Sequence, residues 1–166
     1  MFNLAGLSDS KALDQQAAAE AALTIFSDAI FGGNLCHDVG YLDSGLLGSL
    51  PQLTICDEII SWVSAFMKGT EINDETLCID LIEKIGPDGQ YIADRHTLEN
   101  FKKRWYPNLF DRGNKDKWEA KGSKTLGERA TDRVDEILKN HRPEPLPADK
   151  AKAIRAMVET AEAQAK

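Results

Sequence analysis

NLCHDVGYLDSGLLGSL, residues 34–50, is the stretch on which the fold turns. Leu35, Cys36 and Val39 suggest one short apolar strand. Behind it comes a polar, glycine-permissive loop carrying His37, Asp38, Tyr41 and Asp43, and then Pro51, which fits the first position of a helix. A short buried strand that empties into such a loop is how many α/β enzymes present side chains to a substrate. In a regular strand His37 and Asp38 point to opposite faces, so at most one of them faces a barrel interior. Tyr41, past Gly40, is free of that alternation.

Outward from this loop the pattern is helical. Upstream, a second short apolar stretch lies at Asn3 to Gly6, and a strand is expected around residues 4–7. Asp9 or Ser10 can cap a helix running to about Phe31, with Leu13, Ala17, Ala21, Phe26 and Ile30 on one face and Gly32-Gly33 ending it. Downstream, residues 51–68 carry Leu53, Ile55, Ile59, Ile60, Val63, Phe66 and Met67, a face wide enough to predict burial on more than one side. A helix from Asn73 to Ile85 follows, with Asp74 and Glu75 in its first turn, where the helix dipole favours anions. Gly86-Pro87 stops it. Asp94 can cap a helix through Phe101 to about Trp105, broken by Pro107. Shorter and longer helices are expected at 116–121 and 125–140. Pro143, Pro145 and Pro147 then make an extended connector before a polar helix to about Gln164. The chain reads as mainly α with at most one to three short strands, confined to residues 4–7 and 35–39.

Composition narrows the function classes. A chain of 166 residues, 42% hydrophobic, is one ordinary domain able to bury a core. No apolar run approaches bilayer length and no basic-then-apolar leader opens the sequence, so a cytoplasmic protein without membrane contact is expected. Cys36, Cys56 and Cys78, odd in number and widely spaced, suit buried reduced thiols rather than disulfides or a metal site. Residues 1–99 hold 16 acids against 4 bases, whereas residues 100–166 hold 11 acids against 16 bases. An acidic first part argues against nucleic-acid binding, which needs a concentrated basic face. It suits a cationic substrate, and equally a solvated acidic surface. His96 and His141 read as surface residues, and Trp62, Trp105 and Trp118 as packing.

The loop at 34–50, taken with LAGLSDSKALDQQAA at 4–18, INDETL at 72–77, GPDGQYIADRHTLENF at 86–101 and HRPEPLP at 141–147, resembles the C-terminal third of the trimethylamine methyltransferase family. The resemblance implies the C-terminal portion of a (β/α)8 TIM-barrel methyltransferase plus a helical extension. Residues 1–110 would supply late strands and helices of the barrel, and 111–166 the extension. Two short strands cannot close a barrel, so self-association into a homo-oligomer, or else a helical rearrangement, is expected to cover their edges. The implied activity is transfer of a methyl group from a methylamine or quaternary amine, such as trimethylamine or glycine betaine, to a corrinoid protein. Cobalamin is then carried by that partner and not bound directly by this chain. Trimethylamine enzymes of the family carry pyrrolysine and glycine betaine relatives lack it. Its absence from these residues favours the quaternary-amine branch only if the matching position falls within them. The alternative is a non-catalytic helical fragment serving fold closure or oligomerisation.

On this reading the substrate-binding candidates are His37, Tyr41 and Asp38. Neither a catalytic residue nor a metal ligand is assigned, because a quaternary ammonium already has a good neutral leaving group. His37 would face inward, Tyr41 would lean over the substrate cation, and Asp38 would hold the loop. Each has a plainer reading as well: a hydrogen-bonded core histidine, a packed loop aromatic and a turn anchor. Ser8, Asp9 and Lys11 follow a strand end, where barrel residues meet substrate, although helix capping by Asp9 is the simpler role.

Overall fold

The computed structural model describes residues 2–165, which fall into two units, up to residue 135 and from residue 136 onward. The first unit opens as a parallel βαβ unit. β1 (Phe2–Leu4) and β2 (Leu35–His37) pair in parallel with register Phe2↔Leu35, Asn3↔Cys36 and Leu4↔His37. Parallel neighbours need a long crossover, and α1 (Gln15–Ile30) supplies it. Its cap is Asp14 and not Asp9 or Ser10. The Asp14 carboxylate accepts from the Ala17 N–H at 3.0 Å and from Ser10 Oγ at 2.9 Å, so residues 8–13 belong to the loop.

Ala17, Ala21 and Ile25 recur every four residues and form the buried stripe of α1. Small residues there let α2 (Leu50–Met67) approach closely, and Ser49 caps α2 by accepting from the Gln52 N–H at 3.3 Å. Ala5, Ala21, Ile25, Ile55, Cys56, Ile59 and Ala130 make the core. The expected burial of α2 on more than one side is not found: Ile60, Trp62, Phe66 and Met67 remain well exposed. What reaches that side is a few rings. Trp62 stacks on Trp105 with centroids 5.4 Å apart and planes 2° from parallel, and Phe66 meets Phe26 edge-on. The first two tryptophans, far apart in sequence, therefore do pack on each other.

The mainly helical expectation holds, with two corrections. Four short strands are present among the described residues where up to three were expected, because residues 41–48 form a hairpin of β3 (Tyr41–Leu42) and β4 (Leu47–Gly48). Asp43, Ser44 and Gly45, all at positive φ, reverse the chain tightly enough to pair its flanks. The expected single helix over 73–85 is broken into α3 (Asp74–Leu77) and α4 (Ile79–Ile85) by Cys78 at φ 53°. Asn73 caps it as read, in a capping box with Thr76. Beyond these lie α5 (Arg95–Asn100), shorter than expected, α6 (Lys115–Ala120) and α7 (Leu126–Asn140). The second unit holds the end of α7, the proline segment and α8 (Ala148–Gln164), none of whose residues is buried. No helix among the described residues is long and apolar enough to cross a membrane.

Candidate functional site

The loops after β1 and β2 leave the same end of the parallel sheet, where the carboxyl ends of the strands point. They are stitched into one surface. The Gly40 N–H donates to the Gly6 carbonyl at 3.0 Å, Ser8 N–H to Tyr41 O at 3.0 Å, Asp43 N–H to Ser10 O at 2.9 Å and Ser44 N–H to Ser8 O at 3.1 Å. With both partners fixed by backbone, the loop pair is held without depending on side chains alone.

Ser8 is buried and turned toward α1, where its Oγ donates to Glu20 Oε2 at 2.6 Å. The Asp9 N–H donates to the same oxygen at 2.9 Å, and Gln16 Nε2 reaches the other at 2.8 Å. These bonds, that from Ser8 foremost, hold the Glu20 carboxyl below its ordinary 4.5. Asp9 accepts from Ser44 Oγ at 2.6 Å and caps nothing, and Lys11 Nζ lies 3.6 Å from Asp43 Oδ1. All three are thus engaged in fastening the two loops.

His37 ends β2. By strand alternation it shares a face with Phe2, Leu4 and Leu35. Asn3 and Cys36 occupy the opposite face: Asn3 Nδ2 donates to Asp28 of α1, and Cys36 packs against the core. No described element covers the first face, on which Phe2 is 64% and Leu4 59% exposed. The His37 ring stacks on Phe2 with centroids 4.4 Å apart, and its Nδ1 lies 3.0 Å from Asp38 Oδ1. Asp38 is not a strand residue. Its φ of 67° ends the extended run, so alternation does not govern it and its carboxylate folds back onto the preceding imidazole. An Nδ1–H donated to Asp38 leaves Nε2, which has no partner among the described residues, as the ring's free position.

Tyr41 is half-exposed in β3, opposite Gly48. Its N–H reaches the Asp38 carbonyl at 3.4 Å. The fold therefore brings His37 and Asp38 side chain to side chain and joins Tyr41 to them through the backbone.

Three polar residues on helices escaped the sequence reading: half-buried Glu20 on α1, and buried Gln52 and Glu58 on α2. Gln52, fully buried, donates from Nε2 to the Ala17 carbonyl at 3.1 Å and ties α2 to α1, while its Oε1 has no protein partner among the described residues. Glu58, 4% exposed, accepts the Leu109 and Phe110 N–H groups at 2.7 and 3.0 Å. Each sits in a helical run where a polar residue ordinarily means a solvated face. Among the described residues no group of three or more His, Cys, Asp or Glu is placed to hold a metal ion.

Residues 2–165 match the family profile described as trimethylamine methyltransferase (MTTB). The chain is 34% identical over 157 residues to trimethylamine methyltransferase MttB of Desulfitobacterium hafniense, covering 95% of this chain and 32% of that protein. It is 36% identical over 155 residues to MttB of Methanosarcina barkeri, covering 93% and 31%. To a glycine betaine methyltransferase of Desulfitobacterium hafniense it is 35% identical over 140 residues, covering 83% and 29%. The chain spans about a third of the length of the curated relatives it matches.

Proposed function

Because this chain belongs to the trimethylamine methyltransferase (MTTB) family, we propose that it is the C-terminal portion of an enzyme moving a methyl group from a methylamine or quaternary amine to a corrinoid protein. The observation that carries this reading is the uncovered face of the β1–β2 sheet, which presents His37 at the carboxyl ends of two parallel strands. That end is where barrel enzymes build their sites. The partner's corrinoid supplies the methyl acceptor.

The residues here have binding and orienting work. Asp38 fixes the His37 ring, and in the doubly protonated imidazolium Nε2–H would donate to an anionic group such as the carboxylate of a betaine. The exposed Tyr41 ring, joined to this pair through the backbone, would offer an aromatic face to a quaternary ammonium. Further strands, from another segment or another copy, would satisfy the sheet edges and exclude water from the methyl group. The chain works in the cytoplasm on this reading, as a homo-oligomer or with a partner segment.

The test uses a protein spanning the relatives' full length. His37→Ala should lower methyl transfer strongly. Tyr41→Phe should be mild and Tyr41→Ala severe, since a cation–π contact needs the ring and not the hydroxyl. Asp38→Asn, which removes the charge beside His37, should lower both transfer and stability, the latter by about 0.5–1.5 kcal/mol. Wild-type kinetics for His37→Ala and Tyr41→Ala would remove the loop from the site. The 166 residues alone, given glycine betaine or trimethylamine and a Co(I) corrinoid protein, should yield no methyl-Co(III) spectrum.

A further inference from the structure

Between α4 and α5, away from the loops after β1 and β2, a thiol meets an imidazole. Cys78 Sγ lies 3.1 Å from His96 Nε2 and 3.7 Å from Nδ1, so both ring nitrogens are within reach of the sulfur and in either neutral tautomer one of them carries no proton. The Glu75 carbonyl locks the pair: it accepts from Sγ at 2.9 Å and stands 3.1 Å from Nε2. Cys78 holds its positive φ at the break between α3 and α4, a conformation disfavoured for a residue with a side chain. The contact with Glu75 is what that conformation delivers. His96 is correspondingly half-buried, not the surface residue its sequence context suggests. The two residues line an open cavity of about 370 Å³.

The other cysteines are built to be inert. Cys56 is fully buried, its Sγ donates to the Gly6 carbonyl at 3.3 Å, and burial pushes its thiol up to about 11. Burial, and then the charge of Asp28, raises Cys36 as well. Neither has an imidazole nitrogen in contact among the described residues. Half-buried and facing a base, Cys78 alone of the three combines access with a proton acceptor.

We propose that Cys78 is a modification site, a thiol activated by His96 that reacts with small-molecule disulfides and other soft electrophiles. The imidazole takes the thiol proton as Sγ attacks one sulfur of the disulfide. The sulfur–sulfur bond breaks, a mixed disulfide forms at Cys78, and the departing thiolate is protonated by the imidazolium. The cysteine is oxidised and the released half is reduced, with no further oxidant. Asp74, Glu75 and Asp80 from α3 and α4, Asp94 at the α5 cap, and Lys84 and Lys103 surround the pair.

Glutathione disulfide is the probe, read by intact mass and peptide mapping of the whole chain. The first adduct is expected on Cys78, at least about tenfold faster than on Cys36 or Cys56. His96→Gln keeps a donor for the Glu75 carbonyl and should slow Cys78 by about tenfold with an unchanged circular dichroism spectrum. Equal labelling of Cys36 and Cys78, or a His96→Gln rate as fast as wild type, would overturn the proposal. Should that variant misfold, the native chain decides, since labelling of Cys78 no faster than that of Cys36 also overturns it.

Discussion

At Gly40 the chain turns with φ 84° and passes so close to α2 that a Cβ there would lie 2.6 Å from Leu53 Cβ and 2.7 Å from its Cα. Backbone atoms cannot swing aside as a flexible side chain can. Gly40→Ala should therefore lower stability by about 2–4 kcal/mol in urea unfolding, and a loss under about 1 kcal/mol would mean that the loop relaxes freely. Glu58 makes a second residue-scale case. It collects two backbone N–H groups from residues 109 and 110, and few sequence cues mark it, because an acid at that position reads as surface. Glu58→Ala leaves both donors unpaired and should cost about 2–4 kcal/mol. Glu58→Gln should cost less, since an amide oxygen still accepts. The same chemical-denaturation curves check both.

The junction of the β1 loop with α1 depends on two carboxylates. Hydrogen bonds from Ala17 and Ser10 lower Asp14 below its ordinary 3.8, and those from Ser8, Asp9 and Gln16 lower Glu20 below 4.5. A carboxyl whose folded value is depressed adds stability that is present above its unfolded value and is lost as pH falls through the folded one. Thermal stability should therefore be flat above pH 4.5 as far as these groups decide it, and decline below. Glu20→Gln should shallow that decline, because the amide keeps an acceptor for Ser8 and removes one titration. An acid limb unchanged in slope would place the titrating group elsewhere. The helices themselves were largely legible, because caps, glycine stops and apolar spacing are local. Asn73, Asp94, Pro51 and Gly86 mark ends that the structure keeps. The start of α1 was misplaced since Asp9, Ser10 and Asp14 are all competent caps. Ser44 engages Asp9 and the Ser10 hydroxyl bonds Asp14, whose carboxylate takes the Ala17 N–H and begins the helix.

Over the whole molecule the two units should contribute unequally. The first contains the core, whereas α8 has no buried residue. Removing residues 142–166 should shift the melting temperature of the first unit by no more than about 2 °C, because little apolar surface is withdrawn from burial. A larger fall in a thermal scan would assign the tail a structural role. Family membership was legible from motifs in order along the chain, as was the helical majority, because both are properties of local sequence. The approach of His96 to Cys78, the stacking of Trp62 on Trp105 and the return of Asp38 onto His37 were not. The sequence by itself determined most of the helix caps and stops, and which residues are apolar enough for a core. Only the tertiary structure decided which face of β2 stays uncovered and which polar groups are buried as partners. Those outcomes depend on contacts remote in sequence, such as that of Glu58 with Phe110, 52 positions apart, which no local pattern encodes.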